Sequence, residues 1–274
     1  MASPILLTGA QGYLGSAVAA WLDHLHLDWI PLVGRLEQLA PASLSQAVVI
    51  HCAGALRHRP DAWQVSNVVG MERLLAALRG PARMVMVSSR SVYGPVPLGT
   101  QLSEDAPLAP RDGYGASKLA AENLLRDSPH RGISARLTTL FGQAPRGDCR
   151  SLPNVAMQTF HRQGVVRLVR QDVAVDYLSV ADAARLLVEL ALRPDIAVPV
   201  LNLAGPPRSL HGLIETMADV HAGASGHRPS LAYDFAAGHA WPILDATLLS
   251  RLLPDFVPVA DRLTAVAMRH ADPR

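Results

Sequence analysis

Three side chains in this sequence form a pattern that can move protons. Tyr114 and Lys118 stand four positions apart in Tyr114-Gly115-Ala116-Ser117-Lys118, so on a helix they share one face. A phenol with its ordinary pKa of about 10 is a poor acid or base at neutral pH unless a nearby positive charge stabilises the phenolate. The ammonium at 118 supplies that charge. Upstream, Val87-Ser88-Ser89-Arg90 ends an apolar run with hydroxyls, and Ser89 can donate to a carbonyl oxygen and hold it against Tyr114. Composition gives Lys118 further weight, because 25 residues are basic and Lys118 is the only lysine among them. A compact ammonium on a flexible stem does not exchange freely with a planar guanidinium, so the exception marks a position with its own task.

A second pattern binds anions. Thr8-Gly9-Ala10-Gln11-Gly12-Tyr13-Leu14-Gly15 follows an apolar run and opens a helical one. Its glycines permit a tight turn, close backbone approach to a pyrophosphate and contact between helix and strand, while free N–H groups of the helix face the anion. This predicts a bound dinucleotide. At the end of the second apolar run, the acidic residue that would bond the ribose hydroxyls of NAD is replaced by Gly34, and Arg35 follows. An arginine with no carboxylate beside it suits a 2′-phosphate. NADP(H) is the favoured cofactor, and NAD(H) is the alternative.

These groups need elements that bring them together. Short aliphatic runs at 4–7, 29–33, 47–51, 83–87, 134–140, 173–178 and 199–203 read as strands. Patterns with apolar residues at i, i+3 and i+4 over 13–25, 62–78, 114–126 and 180–192 read as helices. The alternation predicts an α/β fold, a Rossmann-type doubly wound parallel sheet with a small C-terminal substrate-binding subdomain. Residues 1–145 and 170–204 are assigned to the dinucleotide-binding part, and 146–169 with 205–274 to the small subdomain. In such a sheet the ligand lies beyond the carboxyl ends of the strands, so the segments after Val87, Leu140 and Leu203 should meet over one crevice.

Composition excludes other classes. With 274 residues, a net charge of +2 and 18% charged residues, the chain offers no single-sign field for nucleic acid or an anionic membrane. No run reaches the roughly 18 apolar residues of a membrane span, and the N-terminus lacks a basic stretch before its apolar run. Both point to a cytoplasmic protein. Cys52 and Cys149 are the only cysteines and neither has metal-ligand spacing, so no metal is expected.

The segments TGAQGYLG, VVIHCAG, NVVGMERLL, VSSRSVYG, YGASK and VDYLSVADAARL, in this order and spacing, resemble the extended short-chain dehydrogenase/reductase family, the NAD(P)-dependent epimerase/dehydratase group, over roughly residues 3 to 205. The resemblance implies that Ser89, Tyr114 and Lys118 form a catalytic triad and that Gly9, Gln11, Gly12, Tyr13 and Leu14 hold the pyrophosphate. It further implies that Ala53 and Gly54 line the cofactor, that Asn67 supports the active site, and that Lys118 also binds the nicotinamide ribose. Members commonly form homodimers through the helices here read at 62–78 and 114–126.

The chain also departs from the family. Where many nucleotide-sugar members carry Arg-Asp-Tyr to grip the substrate pyrophosphate, it has Val175-Asp176-Tyr177, and Thr139 replaces an asparagine in the strand before the substrate loop. Arg146, Arg150, Arg167 or Arg170 are candidates to replace the missing charge. Where related 4,6-dehydratases place an Asp-Glu pair, this sequence has Arg90-Ser91, which disfavours dehydration by that route. The expected activity is therefore an NADP(H)-dependent oxidoreductase, reducing a ketone or oxidising a secondary alcohol on a carbohydrate-like or specialised-metabolite small molecule. Alternatives are a nucleotide-sugar 4-epimerase with tightly bound NAD and a non-catalytic dinucleotide sensor. His51 is read as a packing residue, His221 as a surface one, His161 as a weaker candidate for substrate contact, and Trp241 and Phe256 as shaping specificity.

Overall fold

The computed structural model describes residues 4–45, 47–97, 99–147, 149–235 and 242–257. Trp241 lies outside them. The chain begins with β1 (Ile5–Thr8), buried throughout as a strand flanked by helices on both faces must be, and continues through α1 (Tyr13–His24), β2 (Trp29–Pro31) and β3 (Val48–His51). A helical stretch then ends in α2 (Gly70–Ala77), followed by β4 (Arg83–Ser89), the short β5 (Gln101–Leu102), α3 (Gly113–Arg126) and β6 (Arg131–Leu137). Beyond these come β7 (Leu140–Phe141), α4 (Leu152–His161), β8 (Val165–Val169), β9 (Ala174–Val175), β10 (Leu178–Ser179), α5 (Val180–Leu192) and β11 (Val200–Leu203). The last described elements are β12 (Arg208–Ser209), α6 (Leu210–Ser225), β13 (Ser230–Phe235), β14 (Ile243–Leu244) and α7 (Thr247–Leu252).

Six strands form one sheet in the order β2-β1-β3-β4-β6-β11, and each adjacent pair is parallel. The order reverses between β1 and β3, which places the ligand crevice at their carboxyl ends. There Thr8 and His51 are partners in register. Alternate residues of a strand face opposite layers. Ile5, Leu7, Ile50 and Val85 pack under α1 and α5, whereas Leu6, Val49, Met84 and Met86 pack under α2 and α3. A separate apolar cluster joins α4, β8 and α6 through Met157, Phe160, Leu168, Leu213, Ile214 and Met217, with β13 paired to β8. Among the described residues no helix is long and apolar enough to cross a membrane.

Three segments differ from the sequence expectation, the strand expected at 134–140 running instead as β6 (Arg131–Leu137) and, after a break, β7 in a separate pair with β10. The helix expected at 62–78 starts as a wide π-turn, Trp63–Val69, before becoming α2. The strand expected at 173–178 is broken in two. β9 pairs with β12 and β10 with β7; between them the Asp176 carbonyl accepts from the Gly205 amide at 3.0 Å instead of a strand ladder, and its buried carboxylate accepts from Arg90, Thr138 and the Leu244 amide.

Candidate active site

The turn after β1 is shaped by contacts that leave no room for side chains. Gly9 has φ +71, and a Cβ there would stand 2.6 Å from the Ala53 amide nitrogen, while one on Gly15 would stand 2.0 Å from the Gly9 carbonyl oxygen. Either is far inside van der Waals contact, so the turn presses on the loop after β3 and α1 presses on the turn. The two loops are also tied by the Thr8 hydroxyl, which accepts from the Ala53 amide at 3.1 Å and shares a 2.7 Å hydrogen bond with His51 Nδ1. Burial, with the nearby charge of Lys118, pushes His51 down to about 3, so it is the neutral packing residue expected. At the start of α1, Gly12 offers no side-chain cap and the first turn holds no acidic residue, which leaves its amides to an anion. This cradle fits a dinucleotide pyrophosphate.

Around it, Tyr13 donates its hydroxyl to the Gly142 carbonyl at 2.9 Å, Leu14 packs inward and Gln11 is exposed. Gly54 lies beside Asn67 and Lys118. Arg35 follows β2 with 75% of its side chain exposed, and Glu37 stands 3.7 Å from its guanidinium. The expected absence of a carboxylate beside Arg35 is thus corrected: the short turn at Leu36–Gln38 folds Glu37 back towards it.

α3 begins where the Asp112 carboxylate caps the Gly115 amide at 2.9 Å, which places Tyr114 in its first turn. One turn later Lys118 is 8% exposed. Its ammonium donates to the Val87 carbonyl at 3.1 Å and lies 6.0 Å from the centre of the Tyr114 ring. Asn67 braces this helix from the π-turn, accepting from the Ala55 amide at 2.8 Å and donating to Ser117 Oγ at 2.9 Å. Ser89, at the end of β4, faces the Tyr114 phenol closely enough to lower its pKa and donates to Ser91 Oγ at 3.0 Å. The structure therefore brings Ser89, Tyr114 and Lys118 together.

The electrostatics refine the expected division of labour. Burial raises the Tyr114 phenol above its ordinary value, and the Ser89 hydroxyl and the Arg57 guanidinium pull it back. Arg57 lies 5.6 Å from the ring centre, pairs with Asp112 at 2.8 Å and donates to Ser91 Oγ at 3.2 Å. Nothing local in the sequence marks Arg57, whose partners are far along the chain. Burial lowers Lys118 to about 8, with Cys52 and Glu122 opposing, and burial raises the Cys52 thiol to about 12, so that it stays protonated. Behind the helix, Glu122 and Arg136 form a sealed ion pair at 2.8 Å that fastens α3 to β6.

The facing wall is organised by Arg90. Its guanidinium donates to Thr139 Oγ1 at 2.7 Å, to Asp176 Oδ1 at 3.1 Å and to Thr138 Oγ1 at 3.3 Å. Burial lowers its pKa, while Asp176 and Tyr177 act in the opposite direction. Arg90 thus occupies, in space, the neighbourhood of the two departures noted at Val175 and Thr139. Of the other arginines, Arg146 meets Gln11 and Arg167 pairs with Asp234 across β8 and β13, while Arg150 and Arg170 are exposed. His161 stacks edge-on against His221, with ring centres 5.1 Å apart. His221 is 4% exposed, a correction to its expected surface position, because it faces inward from the middle of α6. Phe256 packs beneath Arg185 against the α1–α5 layer.

Residues 5–204 match the description of the NAD dependent epimerase/dehydratase family. The chain is 28% identical over 247 residues to the GDP-6-deoxy-D-mannose reductase of Pseudomonas aeruginosa, covering 80% of this chain and 81% of the reductase. It is 33% identical over 181 residues to a UDP-glucose 4-epimerase of Azospirillum brasilense, covering 53% of this chain and 52% of the epimerase. A solved structure of MoeE5 in complex with UDP-glucose and NAD superposes with a TM-score of 0.78 at 25% identity, covering 98% of both chains.

Proposed function

This chain belongs to the NAD dependent epimerase/dehydratase family and is an NAD(P)-dependent enzyme; from that premise we propose that it reduces a ketone on a sugar-like substrate with NADPH. The observation that carries the reading is the Tyr114 ring with the buried Lys118 ammonium 6.0 Å from its centre and the Ser89 hydroxyl near enough to lower the phenol's pKa. When bound, a nicotinamide dinucleotide would supply or accept the hydride. In the reductive direction the Ser89 hydroxyl orients the carbonyl oxygen and Tyr114 gives it a proton. A phenol held above its ordinary pKa by burial is protonated at neutral pH, which suits an acid better than a base. Arg57 and Lys118 then stabilise the phenolate that remains. The reductase relative supports a sugar-type ketone.

For the cofactor, the exposed guanidinium of Arg35 beside Gly34 supports the 2′-phosphate of NADPH. The small subdomain, 146–169 with 205–274, holds the substrate, and a homodimer forms through α2 and α3. Sedimentation giving a monomer would sink the dimer.

The decisive variant is Tyr114→Phe. We expect turnover to fall by about 10²–10⁴ with the melting temperature kept, and full turnover in a folded variant would overturn the assignment. A 4-epimerase that retains NAD is the second reading, favoured by Glu37 beside Arg35, since a carboxylate there suits ribose hydroxyls. Mass spectrometry of nucleotide released on denaturation separates the two. Tightly held NAD supports the epimerase, and an empty site that binds added NADPH supports the reductase.

A further inference from the structure

The segment from Gly142 to Gly147 leaves the sheet after β7 and returns over the start of α1. It is fastened there at three points. The Gly142 carbonyl accepts from the Tyr13 hydroxyl at 2.9 Å. The Arg146 amide donates to Ser16 Oγ at 3.0 Å, and that hydroxyl lies 3.2 Å from the Arg146 carbonyl. Gly147, with φ +73, rests so close to α1 that a Cβ would stand 2.8 Å from the Tyr13 amide nitrogen. These contacts deliver the Arg146 guanidinium to Gln11, whose side-chain oxygen accepts from it, at the centre of the glycine turn.

The partners of Arg146 set it apart from the other cations around the cleft. Arg57 is paired with Asp112, Arg90 with Asp176, Arg136 with Glu122 and Arg35 with Glu37. Arg146 forms no ion pair with a described carboxylate and bonds a neutral amide, and residues 9–16 and 142–147 contain no acidic residue. A full positive charge thus lies on an anion-binding turn with no described countercharge. Resting on the dinucleotide reading, we infer that residues 142–147 form a strap across the cofactor site and that Arg146 binds the dinucleotide's pyrophosphate, exchanging Gln11 for a phosphate oxygen. Arg146 is then not among the arginines that serve a substrate pyrophosphate.

The test is calorimetric titration of the full chain with two probes, ADP-ribose for the cofactor and UDP for a nucleotide-bearing substrate. Arg146→Gln should weaken ADP-ribose on the order of tenfold, the loss of one charge-assisted hydrogen bond, leave UDP unchanged, and keep the melting temperature of an exposed position. Ser16→Ala, which frees the strap but keeps the charge, should weaken ADP-ribose by a smaller factor. Equal ADP-ribose affinity in Arg146→Gln and the parent chain would overturn the inference alone, as would a loss confined to UDP. A parent chain with no affinity for ADP-ribose would overturn the dinucleotide reading and the inference with it.

Discussion

On the cofactor side of the cleft, the working groups are largely backbone: amides at the start of α1 and a turn whose shape is set by Gly9 and Gly15 against Ala53 and Gly9 itself. On the facing side, the wall is made of side chains. Arg90 at the end of β4 is held by Asp176, 86 residues later, and by Thr138 and Thr139, with the Leu244 amide closing the carboxylate. The backbone cradle depends on glycines that leave room for close contact, most of it within one turn and one neighbouring loop. Side-chain walls depend on partners from distant segments, so each partner is a separate point of failure.

The contrast should break most sharply in stability. Asp176→Ala strands a largely buried guanidinium and should cost about 3–5 kcal/mol, whereas Gln11→Ala on the exposed turn should cost under about 0.5 kcal/mol. Urea unfolding midpoints check both, and equal losses would erase the distinction between the walls. The next effect concerns the lysine between them. With Lys118 at about 8, reductive kcat/KM should fall towards tenfold per pH unit above about pH 8 as the ammonium is lost, and a flat profile to pH 10 would remove its role. The sign for stability is opposite. The folded pKa lies below the ordinary 10.5, so between about 8 and 10.5 the unfolded chain binds more protons, and this group's contribution to stability grows with pH. Smallest is the cofactor rim, where Arg35→Ala should weaken NADPH by up to about tenfold and leave NADH unchanged; equal losses of both would retire the 2′-phosphate assignment.

The parts legible in advance follow the same division. β1, α1, β3, β4, α3 and α5 were readable because parallel strands buried on both faces are continuous aliphatic runs and their helices carry one apolar stripe. α4, β8, α6 and β13 were not given as elements. Stretches 142–153, 205–208 and 223–229 are punctuated by glycine and proline, and the apolar faces of these four elements meet in the small cluster of Phe160, Leu168 and Ile214. The same limit hid Arg57. Its meaning comes from Asp112, Ser91 and Tyr114, none of them local to it.

Glycine spacing, the single lysine four residues beyond a tyrosine, and serines at a strand end were determined by the sequence alone, because each acts within one turn or one strand–helix junction. The broken ladder at Asp176, the placement of Arg90 between Thr139 and Asp176, the return of Glu37 to Arg35 and the laying of Arg146 on Gln11 were decided by the tertiary structure. Buried charge demands a partner wherever the fold brings one near, and no local pattern records which segment that will be.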